Sequence, residues 1–170
     1  MIADWDSRNK DGNLKIRFSE LYPLSAATAR FADGAVGVYF LGIADGLGIG
    51  YPFKKSRLIY IGMSASRQNS IGKRLQAHLS GRSGNVALFN YAKVRPVVFS
   101  YFGNEVLSAL GVCPVPEIEG FFLREFESVH GAYPICNNQS SAAGPASALK
   151  HAALKVDWTA WNEVDHTVRP

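Results

Sequence analysis

Apolar and polar positions follow different periods along this chain, and each change of period marks an element. Positions 36–43, VGVYFLGI, are almost uninterruptedly apolar and rich in β-branched and aromatic residues, which predicts a strand after the Asp33-Gly34 turn signal. RLIYI (57–61) predicts a second strand, and VRPVVFSYF (94–102) a third, with Pro96 at its start or on an edge. Between the first two, ADGLGIGYPFKKS (44–56) reads as a loop or wide hairpin tip. The period becomes helical at IGKRLQAHLS (71–80), after an N-cap at Asn69 or Ser70 and before Gly81. A second helix, EIEGFFLREFESVH (117–130), carries Ile118, Phe121, Phe122, Phe126 and Val129 as its apolar stripe and ends at Gly131. Positions 13–31 are partly helical in pattern, GRSGN (81–85) is a flexible basic loop, and the Ala-rich stretch 147–161 predicts a terminal helix. These elements give an α+β fold, a small three-stranded antiparallel sheet flanked by helices. Residues 1–35 form an N-terminal extension packing on the core, 36–138 the central domain, and 139–170 a C-terminal helix and tail.

Length adds that 170 residues suffice for one domain with a real core. No apolar run approaches the roughly 18–20 residues of a membrane span, so no membrane is expected. The polar leading segment MIADWDSRNKDGN does not resemble a signal peptide. Two cysteines, Cys113 and Cys136, are too few for a disulfide framework and lack metal-ligand spacing, so a reducing, cytoplasmic setting is expected.

The distribution of charge changes the picture more than its sum of +4. No Asp or Glu occurs from position 46 to 104, yet half of the 18 basic residues fall there. Lys54, Lys55, Arg57, Arg67, Lys73 and Arg82 are the candidate contacts to a polyanion, most often nucleic acid.

Two charges interrupt apolar faces. Arg74 shares the stripe of Ile71, Leu75 and His78, where a guanidinium must meet an anion or a carbonyl. Glu125 sits within the stripe of the later helix, at i+3 from Phe122, whereas Glu119 falls outside that stripe. The two charges pair with each other, Glu125 bonds a Tyr hydroxyl, or the carboxylate faces a cleft and serves metal binding or acid–base work.

Taken in order, these residues resemble the GIY-YIG nuclease superfamily. Gly37-Val38-Tyr39 and Tyr60-Ile61-Gly62 stand for its two name motifs, Arg74 for its helix arginine and His78 for the polar position four residues on. Glu125 stands for its metal-binding glutamate and Asn137 for the end of a P-x-x-N segment, Pro134-Ile135-Cys136-Asn137. The loop 42–56 is longer than is usual in the family, and Met63 follows the second motif where some members place a Lys. The resemblance implies a GIY-YIG-like catalytic domain over 36–138 that cuts DNA with one Mg²⁺ or Mn²⁺. Tyr39 and Tyr60 would position or deprotonate the attacking water, Tyr39 being favoured for proton abstraction. Arg74 would hold the scissile phosphate, His78 orient or protonate, and Glu125 bind the metal. Gly37, Gly62 and Asn137 would brace the site.

A compact core with internal insertions resembles restriction-type members, which are usually homodimers. Trp158 and Trp161 read as a packing patch on the domain or at such a contact. A catalytically inactive nucleic-acid-binding module is the alternative; it has no need of a carboxylate beside a phosphate.

Overall fold

The computed structural model describes residues 14–104, 114–137 and 154–162. In chain order the strands are β1 (Leu14–Arg17), β2 (Tyr22–Pro23), β3 (Gly37–Ile43) and β4 (Ile49–Gly50), then β5 (Lys55–Ser56), β6 (Leu58–Ser64), β7 (Val97–Gly103) and β8 (Leu154–Asp157). The helices are α1 (Ala26–Ala29), α2 (Ile71–Leu79), α3 (Val86–Val94), α4 (Val115–His130) and α5 (Thr159–Asn162). The chain is α+β, as expected. Its main sheet has four strands rather than three, in the antiparallel order β2-β7-β3-β6. The added strand is the two-residue β2, too short to leave an alternation in the sequence.

Every residue of β3 is buried because both faces of the sheet are covered, which is why its sequence reads as an apolar run. Val38 and Phe40 point to one core, shared with Ile118, Phe122 and Phe126 of α4 and with Trp158 and Trp161. Tyr39, Leu41 and Ile43 point to the other, shared with Ile71 and Leu75 of α2 and Leu88 of α3. The two tryptophans thus pack within the domain itself. Burying large side chains of this kind contributes roughly 1.5–3 kcal/mol each.

Two expectations change. Leu154–Asp157 is a strand, not part of a helix: it pairs in parallel with β1, and Lys15 Nζ lies 2.9 Å from Asp157 Oδ2. The Ala-rich composition before it favours a helix locally, and a partner strand from the other end of the chain overrides that preference. Val86–Val94, unassigned from the sequence, is a helix capped by Asn85, whose side chain accepts from Leu88 N–H at 3.0 Å. The leading segment 1–13, Cys113, and residues 138–153 and 163–170 lie outside the described residues.

Candidate active site

The site begins with the register of β3 on β6. Tyr39 stands opposite Gly62 and Leu41 opposite Tyr60, so both tyrosines rise from the same face of adjacent strands. A side chain at Gly62 would bring its Cβ within 2.6 Å of the Tyr39 hydroxyl and 2.6 Å of the Tyr60 ring. The glycine is what lets the two rings share that surface. Gly37 has a comparable constraint on the opposite side of β3, where a Cβ would lie 2.0 Å from the backbone oxygen of Phe102.

Helix α2 lies over these tyrosines because Ile71 and Leu75 are buried against the sheet, which turns Arg74 and His78 to the same side. The Tyr39 hydroxyl lies 2.9 Å from Nε2 of His78. Tyr39 is fully buried and His78 is 1% exposed. Burial, and then the neighbouring Arg74 charge, push the His78 pKa down to about 4, so the imidazole is neutral at pH 7. Burial raises the Tyr39 pKa, and Tyr60 adds to the rise; Arg74 opposes both. Tyr60 is likewise raised, chiefly by burial, with Glu119 contributing and Arg74 opposing. The Tyr39 and Tyr60 rings lie 6.0 Å apart, centroid to centroid, and the Arg74 guanidinium is near enough to both hydroxyls to favour their ionised forms. Arg74 Nε and His78 Nδ1 are buried without a partner among the described residues.

The carboxylate at this site is Glu119, not Glu125. Glu119 borders a cleft of about 470 Å³ that also exposes Tyr60, Arg74, Asn85 and Asn137. Burial pushes its pKa up to about 7, against the pull of Arg74. Glu125 instead faces β8, beside Lys155 and the backbone N–H of Val156, and is raised by its own burial. The sequence stripe ran through Phe121, which is only partly buried. The buried side of α4 runs through Val115, Ile118, Phe122, Leu123 and Phe126. Glu119 lies four residues from both Val115 and Leu123 on that side, a spacing the sequence already held.

Asn137 closes the open edge of β6. Its Oδ1 accepts from Ile61 N–H at 2.9 Å and its Nδ2 donates to Ile61 O at 2.7 Å, the two bonds a neighbouring strand would make. Cys136 N–H donates to Ile59 O at 2.9 Å, and Asn85 Nδ2 donates to Cys136 O at 2.9 Å. The Pro134–Asn137 turn thereby tiles the edge strand and forms one wall of the cleft.

The basic residues divide. Arg67 sits on the turn between Ser66 and α2, beside the cleft, Lys73 sits in the first turn of α2, and both are exposed. Lys73 Nζ donates to Gln68 O at 2.8 Å. Arg82 is exposed on the loop before Asn85. Lys54 and Lys55 are exposed on the insertion between β3 and β6. Arg57 does not belong with them. Its Nε and one terminal nitrogen donate to Ala160 O at 3.1 and 2.7 Å, so it ties α5 to the sheet.

A single carboxylate could supply one protein ligand to a divalent ion, whose other ligands would have to be water or another molecule. Among the described residues no group of three His, Cys, Asp or Glu side chains could hold a metal by itself. No described helix is long and apolar enough to cross a membrane. No protein-family model matches the chain, and no curated protein or solved structure matches it.

Proposed function

We propose that the protein is a metal-dependent DNA endonuclease whose reaction takes place in the cleft of Tyr60, Arg74 and Glu119, backed by the buried Tyr39 and His78. The carrying observation is that a guanidinium with a buried, unpartnered Nε stands beside a tyrosine and a carboxylate at one opening, with a second tyrosine buried behind them. An unsatisfied buried cationic donor is costly, and a phosphate oxygen entering the cleft would satisfy it. The order of these groups along the chain resembles the GIY-YIG nucleases, with Glu119 in the place the sequence reading gave to Glu125.

Of the two tyrosines, Tyr60 borders the cleft while Tyr39 is fully buried behind it. Tyr60 is therefore the hydroxyl that touches the attacking water, which reverses the preference for Tyr39. As the water oxygen bonds to phosphorus, its proton passes to Tyr60. Tyr60 passes its own to Tyr39, and Tyr39 passes its own to Nε2 of His78, which starts neutral. Arg74 holds the non-bridging oxygens as their charge grows, in a site where burial magnifies its effect. Glu119 and the substrate phosphate would hold one Mg²⁺ or Mn²⁺, which when bound neutralises charge on the leaving oxygen. Holding the metal requires Glu119 to give up its proton, which its raised pKa confines to neutral pH and above.

The test is incubation of the wild type and Arg74→Ala with supercoiled plasmid and linear duplex in Mg²⁺, Mn²⁺ or EDTA. Metal-dependent cleavage by the wild type alone supports the reading. Intact DNA throughout, from protein that binds it, would replace the enzyme by the binding module.

A further inference from the structure

The insertion between β3 and β6, residues 44–56, was expected to be a loop or hairpin tip, and it is a braced arm. At its base Ala44 N–H donates to Pro96 O at 2.8 Å, and Arg95 Nε donates to Asp45 Oδ2 at 2.7 Å. Its limbs pair as β4 and β5. Its far end rests on the C-terminus of α4, where Phe53 N–H donates to His130 O at 3.0 Å. Gly131 gives the space for this seat, since a Cβ there would come within 3.1 Å of the Phe53 ring. The backbone at Phe53 is fixed, yet its side chain is 71% exposed, and the exposed Lys54 and Lys55 follow it. A single exposed ring is ordinary on a protein surface, but one on a fixed backbone next to two exposed lysines is pre-arranged for a ligand with an apolar face between anionic groups.

What covers it is indicated by charge and by position. The arm and everything up to position 104 carry no carboxylate except Asp45, which Arg95 neutralises. The arm also continues the wall of the cleft. Tyr51 O–H donates to Leu58 O at 2.7 Å and accepts from Ile135 N–H at 3.1 Å, next along the β6 edge from Cys136 and Asn137.

We propose that the arm is a docking element for duplex DNA, in which Phe53 seats its ring against a base step and Lys54 and Lys55 hold the flanking phosphates, along the duplex from the phosphate at Arg74. The identity of the ligand rests on the nuclease reading. The arm's role is separable from it, since none of its residues touches the catalytic groups. Apolar side chains wedged at a base step, beside lysines on the backbone, are a common way of binding a duplex without reading its sequence.

The experiment measures binding of a 30-base-pair duplex by fluorescence anisotropy in EDTA over a series of salt concentrations, together with cleavage in Mg²⁺. Phe53→Ala should weaken binding by about 5- to 50-fold with an unchanged salt slope. Lys54→Ala/Lys55→Ala should lower that slope by about two. Phe31→Ala, which removes another exposed ring, one that packs on Tyr22 at the sheet edge opposite β6, should bind as the wild type. If the arm variants bind as the wild type while the wild type cuts DNA, the arm inference fails and the nuclease reading stands. If the arm variants lose binding and no protein cuts DNA with any metal, the arm inference stands and the nuclease reading fails. Arm variants that alter only the protein's own oligomeric state would assign the ring to a second copy of the chain and overturn the proposal.

Discussion

The hydroxyl of Tyr39 sits 2.9 Å from Nε2 of His78, with both side chains sealed from solvent. This buried pair makes the stability of the fold depend on pH, and under the proposed function it also takes part in the reaction. In the native state His78 takes up a proton only near pH 4, whereas in the unfolded chain it does so near 6.5. Between these values the unfolded state binds more protons, so stability falls as pH drops through that window and is unaffected above it. The loss amounts to about 3 kcal/mol by pH 4. His78→Asn should flatten this part of the stability curve in urea titrations at stepped pH. It should also reduce cleavage by about 100-fold or more, as expected for loss of a proton acceptor.

Gly62 tests the packing of the two tyrosines. In Gly62→Ala the methyl group must displace the Tyr39 hydroxyl or the Tyr60 ring, neither of which is the free end of a flexible chain. Thermal unfolding should show a loss of about 1–3 kcal/mol, with cleavage falling further than stability alone explains. Gly50→Ala, where nothing lies within 4 Å of the new carbon, is the matched control and should leave both unchanged.

Asn137 tests the closed edge of β6. Asn137→Asp keeps the shape and the acceptor but cannot donate to Ile61 O and sets a carboxylate against it. A loss of about 1–3 kcal/mol in chemical denaturation is expected. Faster hydrogen exchange should be confined to the amides of β6 and of the Pro134–Asn137 turn.

Much of this was legible in the sequence. Strand β3, strand β6 and helix α2 follow from their periods, and with them the placement of Tyr39, Tyr60, Arg74 and His78 on neighbouring elements. The carboxylate was misplaced because Phe121 and Leu123 are equally apolar, and only packing shows which of them faces the core. Helix α3 left no pattern because Leu88 is its only fully buried residue. The pairing of β1 with β8 joins segments from opposite ends of the chain, which no local signal encodes. Arg57 looked like part of a basic face because sequence gives charge but not the carbonyl that receives it.

Under the proposed function, Arg57 and Arg67 should separate structural cations from cations that face nucleic acid. Arg57→Ala should cost about 1–3 kcal/mol through the bonds lost to Ala160 O, with the salt slope of DNA binding unchanged. Arg67→Ala should leave thermal stability unchanged and lower that slope by about one. A lowered slope in Arg57→Ala would return that residue to the binding face.

The central claim is that Glu119, and not Glu125, is the carboxylate of the reaction, and comparison of Glu119→Gln with Glu125→Gln tests it directly. Burial keeps Glu119 protonated up to about pH 7, where the unfolded chain has already lost the proton near 4.5. The native state thus binds more protons across that range, and ionising Glu119 costs stability as pH rises. Glu119→Gln should therefore raise Tm at pH 8 by about 2–4 °C, leave it unchanged at pH 4, and abolish Mg²⁺-dependent cleavage. Glu125→Gln should cut DNA at the wild-type rate. Cleavage retained by Glu119→Gln and lost in a folded Glu125→Gln would contradict the account and return the reaction to the β8 side of α4.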